Sequence, residues 1–405
     1  MSARRSDEFT SASPRPSVAI CGTRGIPARY GGFETFAEEL SQRLVAQGYP
    51  TRVYCRHSTT PELKSIDGVE LVHLPAPRHK YLETVVHTFL SFLHLLVYPV
   101  DVVILCNAAN APLLPILKLR RIRVATNVDG IERNRAKWNS IGKLWYRLGE
   151  WSAARWSHRV ISDADFIRDY YRERFGVASD VIRYGYSAAH EELVAEKVAG
   201  NPYTIPAWRD LAVVREFGLE PNQYILYVSR FEPENNALLV IQAFRQLDPS
   251  RRPPLVLVGD APYADDYKRA LREASGECPD IHFAGYRFGE EYRALQIGAL
   301  LYVQATEVGG THPALVEAMG FGNCVLANDV PEHRETLGNT GVYYAKNDFS
   351  DLTRQLQTLL ADAANLSRLR QRAFEKAQSD YRWESIAKLY ISLVTRLCPA
   401  PRTKT

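Results

Sequence analysis

The stretch EVGGTHPALVEAM, Glu307 to Met319, decides how this chain is read. It follows a strand-like apolar run, Ala299 to Ala305, and passes through two glycines and Thr311-His312 to Pro313, where a helical run begins. Proline suits a first helical position, because its missing N–H would have no partner there. The free N–H groups and the dipole of such a helix start attract anions, phosphate above all. Glu317 lies one turn further in on the same face, within reach of a ligand held at the helix start. A phosphate cradle beside a carboxylate suits a nucleotide-linked substrate.

The surroundings repeat one pattern. YILYVSR (224–230), LVLVGD (255–260), IHFAGY (281–286), LLYVQA (300–305), CVLAND (324–329) and GVYYA (341–345) read as strands. Helical runs over 236–247, through 274, over 290–298 and over 351–380 alternate with them. Upstream, VAIC (18–21), TRVYC (51–55), VELVHL (69–74), DVVILC (101–106), RVATNVDG (123–130), RVIS (159–162) and DVIRYG (180–185) do the same. Helices are expected at 82–97, 111–118 and 140–158 and through Phe175, the last capped by Asp163 and Asp165. Strands alternating with helices imply doubly wound parallel sheets. Residues 187–222 lack a strand and contain Pro202, Pro206 and Pro221, so a boundary is expected near 205. The expected organisation is a disordered tail over 1–16, α/β domains over 17–205 and 206–380, and a final helix and tail over 381–405. Two such domains with facing strand ends leave a cleft, a common place for a site.

Composition bounds the function. At 405 residues the chain exceeds one ordinary core. The first 16 residues are polar and resemble no signal peptide, and no run reaches the roughly 18 uncharged apolar residues of a membrane span. Six scattered cysteines without a CxxC or a Cys/His cluster argue against structural zinc and a disulfide framework, and fit a reducing cytoplasm. Basic residues concentrate in 118–159, where 11 Lys and Arg face 3 Asp and Glu, which suggests an acidic partner. A nucleic acid is not favoured, since no recognition motif is present and the pI of about 8.6 is modest.

Three further features carry chemistry. Gly22-Thr23-Arg24-Gly25 ends the first strand, and Tyr30-Gly31-Gly32 opens a helix with Phe33, Phe36, Leu40 and Leu44 on one face. The spacing is not GxGxxG, so a nicotinamide or flavin is not supported. The glycines make either two tight turns or a substrate-contacting loop at a strand end, where open α/β sheets bind ligands. Asp129 also sits at a strand end, as a plain Asp-Gly turn or as a group that positions or deprotonates an acceptor. Trp138, Ile141, Trp145, Leu148 and Trp151 recur at helical steps beside Lys137, Lys143, Arg147 and Arg155. That run is either an amphipathic helix packed on the sheet or a basic, Trp-rich face for an anionic membrane surface.

YVSRFEPENN (227–236), VGD (258–260), FAGY (283–286) and the 307–319 stretch, in that order, resemble the nucleotide-binding half of family 4 retaining glycosyltransferases. CGTRGIPARYGGFETFAEEL (21–40) and NVDGIERNRAKW (127–138) are similar to a narrower bacterial rhamnosyltransferase-like subgroup of capsule and surface-polysaccharide assembly. The resemblance spans about residues 17–397. It implies a GT-B fold with two Rossmann-like domains facing a cleft, and a last helix that returns to the first domain. It implies a nucleoside-diphosphate-sugar donor, dTDP-rhamnose in the subgroup, bound by the second domain. The first domain would hold a saccharide or polyprenyl-diphosphate-linked acceptor. No metal or cofactor is implied, and the place is cytoplasmic or peripheral on the inner face of the membrane. Arg230 matches the arginine on the donor diphosphate, and Asn235 stands where the wider family has a lysine. Glu317 matches the second glutamate of a paired motif, expected on ribose hydroxyls. The first should stand at Gly309, so either Glu307 serves the sugar from a bulged loop or the N–H groups of Gly310, Thr311 and His312 do. Arg24, Gly31 and Gly32 would approach the diphosphate or sugar. Asp129, Arg230 and Asn235 are the catalytic candidates. A transferase using a UDP- or GDP-hexose, a sugar-nucleotide epimerase and a non-catalytic sugar-nucleotide-binding protein are the alternatives.

Overall fold

A computed structural model describes residues 15–29, 31–77, 79, 82–134, 138–187, 191–199, 212–261 and 264–398. Most of the expected tail, Lys137 and residue 205 lie outside them. The first domain contains β1 (Val18–Cys21), β2 (Thr51–Arg56), β3 (Ser65–Ile66), β4 (Val69–Leu74), β5 (Val102–Cys106), β6 (Arg123–Asn127), β7 (Arg159–Ser162) and β8 (Asp180–Val181). They form one sheet in the order β3-β4-β2-β1-β5-β6-β7-β8, parallel except for the short β3 edge. The second domain contains β9 (Ile225–Val228), β10 (Leu255–Val258), β11 (Ile281–Gly285), β12 (Leu301–Gln304), β13 (Cys324–Asn328) and β14 (Val342–Tyr344). Their order is β11-β10-β9-β12-β13-β14, parallel throughout.

Both sheets place their first strand beside a strand that follows a long crossover: β1 pairs with β5, and β9 with β12. That reversal of winding direction is the switch point at which open α/β sheets take ligands. The unbroken apolar runs have a physical cause. β1, β5 and β10 are buried along their whole length, as strands covered by helices on both faces must be.

The final helix, Trp383–Leu397, leaves the second domain and packs on the first. Trp383, Tyr390 and Leu393 join Ile20, Phe36 and Leu40 in one core, with the Phe36 and Tyr390 rings 5.2 Å apart. Where the chain crosses, Tyr186 N–H donates to the Tyr381 carbonyl at 2.8 Å, and Trp383 N–H donates back to the Tyr186 carbonyl at 3.3 Å. Two facing doubly wound domains tied by these paired crossings make the GT-B arrangement.

The crossing precedes the expected boundary near 205. The helix Glu191–Val198 already packs on the second domain, with Val194 and Val198 against Ile297, Phe321 and Phe374. Lys197 Nζ is buried there and donates to the Ile297 carbonyl at 2.7 Å and the Phe321 carbonyl at 3.1 Å. Prolines mark a strandless stretch, but which core a residue buries in decides its domain. Two local expectations also change. The helix expected over 111–118 splits into a 3-10 turn, Ala108–Leu113, and a short helix, Pro115–Lys118, because Pro115 has no N–H to continue the ladder. Asp163 does not cap the next helix, whose N-cap is Ala164 with no side-chain bond.

Candidate active site

The C-terminal ends of the two sheets face one cleft of about 1280 Å³. The helix Gly32–Ala46 and the helix Pro313–Gly320 begin on opposite walls. Their starts touch: a Cβ on Gly32 would lie 2.8 Å from Pro313 Cγ. Glycine is therefore required at 32 by close approach, and the positive ends of two helix dipoles converge at one place. Such a meeting point suits a polyanion.

Arg24, Gly31, Gly32 and Asp129 line the wall from the first domain, and Arg230, Asn235, Gly310, Thr311, His312 and Glu317 line it from the second. The fold brings together residues up to 293 positions apart, from Arg24 to Glu317. Glu307 is the exception among the expected site residues. It is not on the cleft wall. Its Oε1 lies 3.1 Å from Asn236 Nδ2, and its N–H donates to the Glu234 carbonyl at 3.0 Å. The loop does not bulge to bring Glu307 into the position at which Gly309 stands.

Each side chain is held by its local structure. The Arg24 N–H donates to Glu34 Oε1 at 2.8 Å, and Ala28 N–H donates to Glu38 Oε2 at 2.9 Å. Two glutamates of the first helix thus pin the preceding loop. Arg24 Nη2 also pairs with Glu83 Oε2 at 3.4 Å. Arg230 Nη1 stands 3.3 Å from Glu232 Oε1. Asn235 Nδ2 donates to the Arg230 carbonyl at 2.8 Å, and the Tyr227 hydroxyl donates to the Asn235 carbonyl at 2.7 Å. One amide hydrogen of Asn235 is therefore used to shape the loop that carries Arg230.

His312 is the N-cap residue of the opening helix but makes no side-chain cap. His333 Nδ1 faces the Asn328 carbonyl at 2.8 Å, which places its proton on Nδ1. Its Nε2 then accepts from the Thr306 hydroxyl at 3.1 Å, and burial holds this ring neutral by lowering its pKa to about 4. Thr306 Oγ1 is left to accept from His312 Nε2 at 3.1 Å. That tautomer makes Nδ1 the acceptor atom of the His312 ring.

Glu317 accepts from the Tyr292 hydroxyl at 2.5 Å. Burial pushes its carboxyl up to about 7, with the Tyr292 bond opposing the rise and Glu39 across the cleft adding to it. The sequence does not mark Tyr292 or Glu34 as site residues. Tyr292 carries no motif signal, and Glu34 reads from sequence as an ordinary acid in a first helical turn. Asp163, expected as a cap, is instead buried against Thr311 of the second domain, with the Thr311 N–H donating to its Oδ2 at 2.8 Å.

The chemistry open to such a site is binding of a diphosphate between two helix starts and an arginine, with a carboxylate beside it for hydroxyl groups. A model of Glycosyltransferase Family 4 matches residues 30–188, and one of Glycosyl transferases group 1 matches residues 222–362. The chain is therefore built of a glycosyltransferase family 4 domain followed by a glycosyltransferase group 1 domain. It is 28% identical over 189 residues to the O-antigen chain mannosyltransferase B of Escherichia coli, which covers 45% of this chain and 49% of that protein. It is 27% identical over 246 residues to the lipopolysaccharide 1,2-N-acetylglucosaminetransferase of Salmonella typhimurium, covering 57% of this chain and 60% of that one. The chain thus spans about half the length of the curated relatives it matches. Among solved structures, sucrose-phosphate synthase from Thermosynechococcus elongatus shares the fold with a TM-score of 0.77 at 20% identity, covering 95% of this chain and 99% of that one.

Proposed function

We propose that this chain is a retaining glycosyltransferase that moves a sugar from a nucleoside diphosphate to a saccharide acceptor in surface-polysaccharide assembly. One observation carries the reading: the Gly32 and Pro313 helix starts meet in a cleft that Arg230 and Glu317 also line. The leaving diphosphate gains charge as the glycosidic bond breaks. Preorganised donors aimed at that charge are the main catalytic device for such a step. The two helix starts and the forked guanidinium of Arg230 supply them. Glu317 takes the ribose hydroxyls, and the acceptor nitrogen of His312 takes a sugar hydroxyl. Asp129 positions the acceptor hydroxyl. The released diphosphate receives its proton, so the transfer needs no enzyme nucleophile. The reaction is metal-independent in this reading, and full turnover in a chelator tests that part.

The long N-terminal motifs favour L-rhamnose from dTDP-rhamnose as donor. The names of the relatives, a mannosyl- and an N-acetylglucosaminyltransferase, keep GDP- and UDP-sugars as the second reading. A screen of dTDP-rhamnose, GDP-mannose, UDP-glucose and UDP-N-acetylglucosamine against a polyprenyl-diphosphate-linked saccharide, read by mass spectrometry, decides. Turnover with a UDP-sugar and none with dTDP-rhamnose overturns the rhamnosyl reading and keeps the transferase.

A lipid-linked acceptor requires the chain to work at a membrane. Among the described residues, no helix is long and apolar enough to cross one. The helix Ser140–Trp156 offers a surface contact instead. Trp138 and Trp145 turn inward: Trp145 Nε1 donates to the Ala109 carbonyl at 3.0 Å, and Trp138 packs on Tyr146. Ile141, Leu144, Leu148 and Trp151 form the outer stripe, with 77%, 64%, 43% and 45% exposure. Lys143, Arg147 and Arg155 are exposed beside it. Apolar groups flanked by cations suit an anionic lipid surface.

A further inference from the structure

Residues 163–166 run from the end of β7 into the helix Asp165–Phe175 of the first domain. The first N–H groups of a helix have no partner within it. Those of Asp165 and Phe166 find one across the domain seam, donating to Glu335 Oε1 at 2.6 Å and to Glu335 Oε2 at 3.3 Å. Glu335 belongs to the helix Pro331–Leu337, whose Leu337 is buried in a core of the second domain. A third donor, Arg183 Nη2, reaches Glu335 Oε1 at 2.8 Å from the segment after β8. All three N–H groups come from the first domain. The helix Asp165–Phe175 has no side-chain cap of its own, its N-cap residue being Ala164. Glu335 fills that place from the other domain, and its charge suits the positive end of the helix dipole.

The same segment makes a second crossing. The Thr311 N–H donates to Asp163 Oδ2 at 2.8 Å, and the Thr311 hydroxyl donates to the Asp163 carbonyl at 2.6 Å. Both residues are buried. Nearby the two backbones touch: a Cβ on Gly130 would lie 2.6 Å from the Gly309 carbonyl carbon. Asp129 and the Pro313 helix start, one from each wall of the cleft, are thus close in sequence to contacts that join the domains.

We propose that Glu335 is a positioning residue for the transfer reaction: by capping a first-domain helix from the second domain, it holds residues 163–166 on Thr311 and sets the Asp129 wall against the loop before Pro313. The proposal rests on the transferase reading above and adds to it a residue that does not line the cleft. Glu335 acts through others and touches no substrate. One four-residue segment makes both crossings, so the helix cap and the Thr311 contact form and part together. Opening of the cleft has to break both. A charged acceptor makes the stronger hydrogen bond, so loss of the Glu335 charge weakens the whole seam.

Hydrogen exchange on the full chain, read residue by residue by NMR, tests this without substrate. The Asp165 and Phe166 amides have no partner inside their helix, so protection there reports on Glu335. In Glu335→Ala these two amides and that of Thr311 should all exchange about tenfold faster or more, although the Thr311 partner Asp163 is intact. Amides of β1 and β9 should keep their wild-type rates. Glu335→Gln, which keeps the shape and loses the charge, should change the same three amides in the same direction by less, and it carries the test if the alanine variant fails to fold. In the donor–acceptor assay kcat should fall roughly tenfold in Glu335→Ala, with partial recovery in Glu335→Gln and circular dichroism of the folded chain in both. Unchanged Thr311 exchange in both variants, or wild-type kcat in both, overturns the idea. Coupled exchange of the three amides, with no nucleotide sugar turned over by the wild type, overturns the transferase reading and leaves the seam standing.

Discussion

The Tyr292 hydroxyl donates to Glu317 Oε2 at 2.5 Å, and both residues line the cleft between the domains. This short bond favours the carboxylate, yet burial wins and the Glu317 carboxyl titrates at about 7. Ribose hydroxyls arriving at Glu317 would donate to the charged form and lower that value. Donor binding should therefore release a proton near pH 6.5, and affinity should rise between pH 6 and 8. Titration calorimetry in two buffers of different ionisation enthalpy measures the proton. In Glu317→Gln both the proton release and the pH dependence should vanish. A pH-independent wild-type affinity would remove Glu317 from the ribose site. The same residue bears on stability with the opposite slope. The native chain holds this proton up to about pH 7, above the ordinary glutamate range. Its contribution to stability is full below about pH 4.5 and is lost as pH rises to 7.

Contact between Gly32 and Pro313 makes a second prediction. Gly32→Ala puts a carbon 2.8 Å from Pro313 Cγ and must part the two helix starts. Misplacement of about 1 Å at a reacting centre costs roughly 100-fold in rate. Turnover should fall by that order, with donor affinity reduced as well. The thermal midpoint should move little, because each domain keeps its own core. Steady-state kinetics beside a melting curve separate the two effects.

Arg230 should tolerate neither truncation nor a lysine. Arg230→Ala removes a charged donor from the developing diphosphate and should lower kcat by about 10²–10³. Arg230→Lys keeps the charge without the fork, and should recover only part of that loss. Equal activity of Arg230→Lys and the wild type would mean that charge alone matters at this position.

The outward stripe of the Ser140–Trp156 helix should carry the chain to anionic lipid. Flotation with phosphatidylglycerol vesicles is expected for the wild type and should be lost when Lys143 and Arg147 are both changed to glutamate. Leu144→Ser with Ile141→Ser should weaken it in both low and high salt, since burial of apolar groups is not screened. Flotation unchanged in both double variants would end the membrane assignment.

Much of this architecture is legible in the chain itself. Apolar runs at strand length, glycine turns and helix periodicity place nearly every long element, because a strand buried on both faces has to be apolar throughout. What escapes is short or borrowed. β3 is two residues at an edge, and the helix Pro331–Leu337 has too few turns to show a period. The helix Glu191–Val198 carries no sign of the domain that buries it.

Within the site, local chemistry marks Arg230, Glu317, Gly32 and the Pro313 helix start, since each owes its place to its own strand end or helix turn. The sequence alone thus determines two α/β units and the loops that bear the cleft. Tertiary structure alone decides what those loops meet. It turns Glu307 toward Asn236 and away from the cleft, and makes Asp163 a partner of Thr311, 148 residues on. It also explains the Gly309-Gly310 pair, whose second member leaves room for the Asp163 carboxyl. The reason is physical: a turn or helix start is written in neighbouring residues, whereas the partner of a buried carboxyl is set by which surfaces two separate cores press together.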